Sequence, residues 1–580
     1  MPALQPSPVG RRIAAMATVR LLDVLLVAGW AWSIAVLVTG GWDWRWRFGV
    51  VRAGTASTVI YVSAVLTFLR YGLAERLSDG VEGQGVFALQ RRLDLLSTSL
   101  SRLLEQVSPA TVRRLLWGIV LVSTLARLLN AWHYWGFCCG DDVEIHEMTF
   151  SRIFDLDWPI WNIRTAVYPM LFVYPFQAMA VRAGISDPAL LVFAGRLAPI
   201  AFSAAAIWLT FHLAKHHSGT YGVALTAATV LAVSKVFGSF GSSELPGTVA
   251  AAFVLGGALL LLGNGFGSVL VASLFVGAAA SFRFSELVFV AAGIVSLCAA
   301  RRWWRAAAFG VLSLACFFLI VAASDFLFWG KPLSSLVHIV DFTLVQRLSS
   351  RGFEPFHYYL SSTPAWADWL FVAFLAFGAF RAPLQLSVWF LVPIAALSCL
   401  PHKEPRYLVP AMPFASILAA YGFWSLLADR PRRVSSVLSE RFWRLLVVGG
   451  LCTALLLEAD GFRFRRSEAA IRAVSSVARR ERVSVVALER SWMAGRRLYL
   501  MQTPTVLELP EEALTSGEVL VHFLSDRQVD LVGLTDTSAR RRGYDRFLTE
   551  HGFMEAGQEL ERPTYRVFWR PPGSGSCGRR

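Results

Sequence analysis

Long apolar runs alternate with short, arginine-rich polar breaks over most of this chain. Apolar runs near 18 residues with few charges have the length of membrane-spanning helices. The pattern predicts spans at 21–39, 50–69, 115–134, 189–213, 220–237, 246–263, 267–282, 284–300, 306–323, 367–380, 384–400, 407–427 and 442–459, or about thirteen in all. The stretches 267–282 and 367–380 are short and are expected to be tilted or broken. Basic residues set the orientation, because cytoplasmic loops carry the excess of Lys and Arg. Arg11, Arg12 and Arg20 precede the first span, and Arg70, Arg76, Arg91, Arg92, Arg102, Arg113 and Arg114 follow the second. Arg301, Arg302, Arg305, Arg381, Arg430, Arg432, Arg433, Arg441 and Arg444 fall in later alternate breaks. With an odd number of spans all of these share the cytoplasmic side. Residues 135–188, 238–245, 324–366, 401–406 and everything after 460 are then expected on the outer side.

Two segments break the pattern. Residues 75–113 repeat leucine at helical spacing (Leu89, Leu93, Leu96, Leu100, Leu103), which predicts an amphipathic helix lying on the cytoplasmic surface. Residues 461–570 are charged and mix strand-like runs (Val483 to Leu488, Val529 to Leu534) with helix-like ones (Ser467 to Arg480, Gly543 to Glu550). That alternation predicts a small extracytoplasmic α/β domain. The expected organisation is therefore 1–110 as two leading spans plus the amphipathic helix, 111–460 as a transmembrane core, 461–570 as the α/β domain and 571–580 as a disordered tail. The fold class is mainly α and polytopic. Ala14 to Gly40 is too long and lacks a clean small-residue cleavage site, so the first span is expected to be an uncleaved anchor.

Composition agrees. The chain of 580 residues is 55% hydrophobic and 16% charged, against about 25% charged for soluble domains, with a mean hydropathy of +0.51. A net charge of +15 would suggest nucleic acid in a soluble protein. Here the basic residues sit in the breaks, so topology accounts for them and no nucleic-acid partner is expected. The seven Cys are scattered and imply no disulfide framework.

Four ionisable groups crowd into the corner between the runs Ser387 to Leu400 and Met412 to Leu427: His402, Lys403, Glu404 and Arg406, with Tyr407 beside them. Such a cluster costs desolvation unless it pairs internally or holds a charged ligand. A second cluster, Cys138 to Glu147, carries Asp141, Asp142, Glu144, His146 and Glu147. If the segment is helical from Asp141, Asp142 and His146 share a face. Adjacent Asp side chains repel, which raises one pKa and suits a general base. A solvated acidic loop or a metal site of Cys, Asp, His and Glu ligands are the alternatives for this cluster. Further on, Arg164 stands among aromatic residues, suited to phosphate or to interfacial anchoring. Asp325, His357 and Tyr359 stand among Phe and Trp, suited to sugar binding or to an aromatic belt.

These stretches resemble glycosyltransferase family 22 of the GT-C superfamily, the mannosyltransferases that build GPI anchors and N-glycan precursors. His402-Lys403-Glu404-Pro405-Arg406-Tyr407 resembles the family's His-Lys-Glu-any-Arg-Phe signature, with Tyr in place of Phe. Asp141-Asp142 stands where GT-C enzymes carry an acidic pair after the first core span, with Asp142 in place of Glu, Ile145 in place of a following Gln, and Glu147 near a later Glu. Arg164, Thr165, Tyr168 and Pro169 match a further stretch, as do Asp325, Phe328, Gly330, Pro355, His357 and Tyr359; Arg283 stands where the family has an Arg after an outward span. The ordered matches run from about 115 to 425. Ser242-Ser243-Glu244 matches poorly and has no assigned role.

The resemblance implies an inverting membrane mannosyltransferase with a polyprenyl-phosphate mannose donor and a glycan or glycolipid acceptor. No cofactor is expected, and no metal, because His402, Lys403 and Arg406 would neutralise the phosphate. It implies Asp141 or Asp142 as base, and His402, Lys403, Arg406 and Arg164 around the donor phosphate. Glu404, Glu147, His146, Asp325, His357, Tyr359 and Arg283 would bind or orient substrate. A GT-C transferase for another lipid-linked sugar or a protein acceptor, and a polyprenyl-glycan flippase, are the rival readings. The expected location is a bacterial inner membrane with the site facing the periplasm, or the ER membrane in a eukaryote.

Overall fold

In the computed structural model the described residues are the strands 42–46 and 49–53, then 108–158, 160–345, 354–367, 369–428, 462–500, 504–556 and 565–571. The predicted spans 21–39 and 442–459, most of 50–69, the amphipathic segment up to 107, and the tail from 572 lie outside them. The first residues of the predicted second span instead form a strand: β1 (Trp42–Trp46) pairs antiparallel with β2 (Gly49–Ala53).

The other ten predicted spans fall on helices. The first is one helix, Pro109–His133, capped by the Ser108 side chain, so it begins within the end of the predicted surface segment. Pro188–Ser218 and Trp303–Trp329 follow as long apolar helices. The predicted span 220–237 is broken: Tyr221–Ala232 and Lys235–Gly241 meet at 58°. By length and composition four helices can cross a membrane, or five if the bent pair is one span, among the described residues. Gly247–Leu260, Phe266–Phe282, Phe284–Ala299, Phe371–Arg381 and Leu384–Ser398 are apolar but shorter. A 14-residue helix rises only about 21 Å, less than a hydrocarbon core of about 30 Å. Four of these five predicted runs, all but 267–282, are longer than their helices because they include apolar residues beyond a helix end.

The apolar helices pack into one large core from Val112 to Ala420. Its tightest crossing joins Trp369–Arg381 to Met412–Ala428. A Cβ on Gly378 would lie 1.7 Å from the Leu418 carbonyl oxygen, and one on Gly422 would lie 2.0 Å from that of Phe374. Only glycine lets these two backbones touch.

Residues 462–571 form a five-stranded sheet in the order β4-β3-β5-β7-β6, with β3 Val485–Leu488, β4 Thr505–Glu508, β5 Leu531–Thr535, β6 Met554–Glu555 and β7 Tyr565–Trp569. The first three strands are parallel and β7 is antiparallel to β5 and β6. β3 and β5 are the two strand-like runs of the sequence. The predicted helices correspond to Phe462–Glu481 and Tyr544–Glu550.

Candidate active site

The acidic cluster is a helix, Gly140–Ile153, with Asp141 and Asp142 in its first turn, where the positive end of the helix dipole favours carboxylates. Asp141 is 6% exposed and lies between two guanidiniums. Arg164 Nη2 donates to its Oδ1, and Arg406 Nη1 lies 2.9 Å from its Oδ2. Arg164 comes from the turn following this helix and Arg406 from the 3₁₀ turn Pro405–Ala411, so segments more than 200 positions apart converge on one carboxylate. Asp142 is fully buried. Its Oδ2 accepts the Cys138 N–H at 2.9 Å, while Oδ1 has no hydrogen-bond partner among the described residues. Burial, then the nearby Glu244, pushes the Asp142 carboxyl up to about 7. Burial and Glu244 raise Asp142, where the sequence pointed to repulsion between the adjacent Asp side chains.

The corner 402–407 is partly self-paired. His402 Nε2 donates to Glu404 Oε1 at 2.9 Å, and Arg406 Nη2 donates to the same oxygen at 2.9 Å. Burial would raise the Glu404 carboxyl, but His402 and Arg406 outweigh it and hold it near about 2. His402 Nδ1 is buried without a hydrogen-bond partner among the described residues. Arg406 Nη1 also donates to Cys139 Sγ at 2.7 Å. Arg283 stacks over the Tyr407 ring at 4.2 Å. Tyr359 is buried beside them, and its phenol is raised by burial and then by Tyr407.

Lys403 does not face outward as a phosphate ligand would. It is 4% exposed, and its Nζ donates to the carbonyls of Glu354 at 2.7 Å and Leu400 at 2.5 Å. Those contacts staple the corner to the preceding loop. His146 is also turned inward. Gln177 Nε2 donates to its Nδ1 at 2.7 Å, so its Nε2–H donates to Glu244 Oε1 at 3.1 Å. Thr149 completes the chain by donating to Gln177 Oε1 at 2.6 Å. Gly195 leaves room for this crossing, since a Cβ there would come within 2.9 Å of His146 Cε1. Asp325 is fully buried and accepts both the N–H and the hydroxyl of Ser335, at 2.8 and 2.7 Å, fastening the turn after its own helix. His357 is exposed at the start of the turn Tyr358–Ser361.

Several partners escaped the sequence reading. Glu244 is the fully buried counter-ion of Arg196, whose Nε donates to it at 2.7 Å. Burial would raise Glu244, but Arg196 and His146 hold it low, near about 2. Arg196 Nη2 also donates to the Gly136 carbonyl at 2.7 Å, tying the Pro188 helix to the entry of the acidic helix. An Arg within an apolar run was the available signal. Arg496, which follows β3 in the C-terminal sheet region, lies 3.6 Å from Glu144 Oε1 and donates to Glu147 Oε2 at 3.1 Å. Its sequence surroundings carry no such signal. Burial raises the Glu147 carboxyl against the pull of Arg496.

Cys138 and Cys139 are free thiols with sulfurs 3.7 Å apart, so no vicinal disulfide joins them. One ligand atom each from Cys138, Cys139 and Asp142 lies within 4.8 Å of the others, a donor set that would suit a thiophilic divalent ion.

Comparison with known proteins gives the family and the fold. The family model of the Alg9-like mannosyltransferases matches residues 144–474. GPI alpha-1,2-mannosyltransferase 3 of Mus musculus is 29% identical over 118 residues, 20% of this chain and 22% of that one, so the chain aligns with under a quarter of this relative's length. Among solved structures, ArnT from Cupriavidus metallidurans bound to undecaprenyl phosphate superimposes with a TM-score of 0.54 at 14% identity, covering 80% of this chain and 98% of that one. The apo oligosaccharyltransferase of Archaeoglobus fulgidus superimposes with a TM-score of 0.50 at 10% identity, covering 79% of this chain and 76% of that one. At such identities the likeness is one of fold, and the fold is that of the GT-C enzymes. With acidic helix and basic corner in one chain and more than half of it matched by the family model, the protein belongs to the Alg9-like mannosyltransferase family.

Proposed function

We propose that this enzyme transfers mannose from a polyprenyl-phosphate donor to the hydroxyl of a glycan or glycolipid acceptor, in one inverting displacement at the outer face of the membrane. The observation that carries the reading is Asp141, held at once by Arg164 and Arg406. A base and two cations at one point are what the reaction needs. The acceptor oxygen attacks the anomeric carbon and loses its proton to the Asp141 carboxylate. The bond from that carbon to the phosphate oxygen breaks, and the lipid phosphate leaves with one more negative charge. Arg406 and Arg164 stabilise that charge, a contact of about 4 kcal/mol at 4 Å and an effective dielectric near 20, before desolvation.

A carboxylate bound by two arginines is a weak base. A donor phosphate competes for the same guanidiniums and loosens them from Asp141 as the proton must be taken. His402, with a buried and unpartnered Nδ1, is the further candidate to contact phosphate. Lys403 holds the corner in place, and His146 holds the acidic helix. Tyr359, Arg283 and Tyr407 offer a stacking face and donors for sugar. Asp325 and His357 stand apart from this contact network and belong to the reading only as shapers of the loop between them. The mannosyl specificity rests on family membership, and the lipid phosphate donor is supported by undecaprenyl phosphate bound to ArnT. Incubation of the detergent-solubilised enzyme with radiolabelled polyprenyl-phosphate mannose and a membrane glycolipid extract should release lipid phosphate and label the extract. Absence of labelling with that donor, alongside labelling from another lipid-linked sugar, would reassign the donor.

A further inference from the structure

We infer that the C-terminal domain completes the active site, with Arg496 acting as a positioning residue for the carboxylate that serves as base. The inference rests on the reading of Asp141 as that base. An unbroken alternation of charge runs from the domain into the site. Arg496 holds Glu147 and Glu144; Glu144 accepts from Arg164 Nε; Arg164 donates to Asp141; Asp141 meets Arg406; and Arg406 donates to Glu404. The Gly140–Ile153 helix carries four carboxylates in seven residues, at 141, 142, 144 and 147. Arg164, Arg406 and Arg496 are its partners across these contacts. Each guanidinium is therefore shared, and withdrawing one redistributes the others.

The domain is built to deliver this side chain. Arg496 has φ +44°, in the left-handed region that costs a non-glycine residue, and follows Gly495 at φ +72°. The turn is held by the Arg496 N–H to the Ser491 carbonyl at 3.0 Å and by the Ser467 hydroxyl to the Met493 carbonyl at 2.8 Å. The domain also grips both ends of the acidic helix. Ile471, Leu498 and Tyr499 pack in one cluster with Phe137, Val143 and Phe150. Tyr499 donates to the Trp135 carbonyl at 3.3 Å, and the Gly136 N–H donates to Glu468 at 3.3 Å. A domain that only selected acceptors would not need a strained arginine turned toward the catalytic helix.

Without Arg496, Glu144 and Glu147 lose the cation they share, and Glu144 is left to draw Arg164 away from Asp141. The test is the split between kcat and KM of the full-length enzyme. Arg496→Gln should lower kcat about tenfold with the donor KM little changed, and Arg496→Lys should restore most of the loss. Arg496→Gln combined with Glu147→Gln removes one charge of each sign, which protects folding if the single variant is unstable, and should recover part of kcat. An unchanged kcat in Arg496→Gln, or a kcat no better in both Arg496→Lys and the charge-neutral double variant, overturns the inference. Full activity in Asp141→Asn would overturn the reading of the base instead, and that outcome is separate.

Discussion

Glu244→Gln is the sharpest test of how the acidic helix is held. Glu244 is fully buried and accepts from Arg196 Nε at 2.7 Å and from His146 Nε2 at 3.1 Å. The substitution keeps the shape but removes the negative charge facing the Arg196 guanidinium, which is also fully buried and keeps its contacts to the carbonyls of Tyr134 and Gly136. Breaking a buried ion pair by neutralising one partner costs about 3–5 kcal/mol. The retained carbonyl contacts place the expected loss near the lower end, about 3 kcal/mol. SDS-induced unfolding of the micellar protein at pH 7 would measure it. Replacing both partners, Glu244→Gln with Arg196→Met, should recover most of the loss, because no charge is then left alone. The sign with pH follows. The Glu244 carboxyl is lower in the fold than its usual value of 4.5, so its stabilisation is present above that value and is lost as pH falls toward about 2. The gap between wild type and variant should therefore close in acid. A Glu244→Gln protein within about 0.5 kcal/mol of wild type at pH 7, or a double variant costing the sum of the singles, would refute the network as the anchor of the helix.

Asp141→Asn should lower transfer by about 10²–10⁴ with expression and donor binding near normal; an inactive Asp142→Asn beside an active Asp141→Asn would reverse the assignment. Asp142 is raised to about 7 in the fold, so wild type loses stability as pH climbs from 3.8 through that value. Thermal unfolding should therefore show Asp142→Asn gaining on wild type between pH 5 and pH 8, and parallel curves would contradict the burial of an unsatisfied carboxyl. Arg406→Ala should weaken binding of a polyprenyl-phosphate sugar analogue by about 10- to 100-fold, measured by fluorescence titration, while Lys403→Met should lower thermal stability more than donor affinity. Activity should survive EDTA if guanidiniums neutralise the phosphate; loss restored by added zinc or manganese would point to Cys138, Cys139 and Asp142 as ligands.

The motifs were legible because charge inside apolar sequence is expensive and therefore informative. Asp141, Glu404 and Arg406 stood out for that reason and meet in one network. The direction of each side chain was not legible. Lys403 and Arg406 look alike in the sequence, yet one staples carbonyls and the other reaches Asp141. The turn of the 405–411 segment decides this, and a pattern of residue types does not encode it. His146 and Glu147 share the acidic helix, but the helical rotation sends one to Gln177 and the other to Arg496. The strands of the C-terminal domain were readable from their apolar runs; its docking was not, because Arg496 reaches its carboxylates across about 350 residues of chain. Hydropathy put ten of the runs on helices but misplaced their ends, counting apolar residues outside the helices such as Val233 and Leu262 as helix.

The glycine crossing at Gly378 and Gly422 bears on the site from a distance. Met412–Ala428 begins where the basic corner ends, so whatever fixes that helix also fixes Arg406. With the two backbones touching, the partner helix is a hard stop: Met412–Ala428 cannot slide closer, and any side chain at the crossing pushes it outward. An alanine at either glycine would need the helices to part by roughly 1 Å or more to relieve a Cβ-to-oxygen approach of 1.7 or 2.0 Å. The Arg406–Asp141 contact is 2.9 Å long and has little slack for such a shift. Substitutions at these two positions, deep among apolar helices, should therefore read out as catalytic defects, and the crossing works as a gauge block that sets the spacing between Arg406 and Asp141.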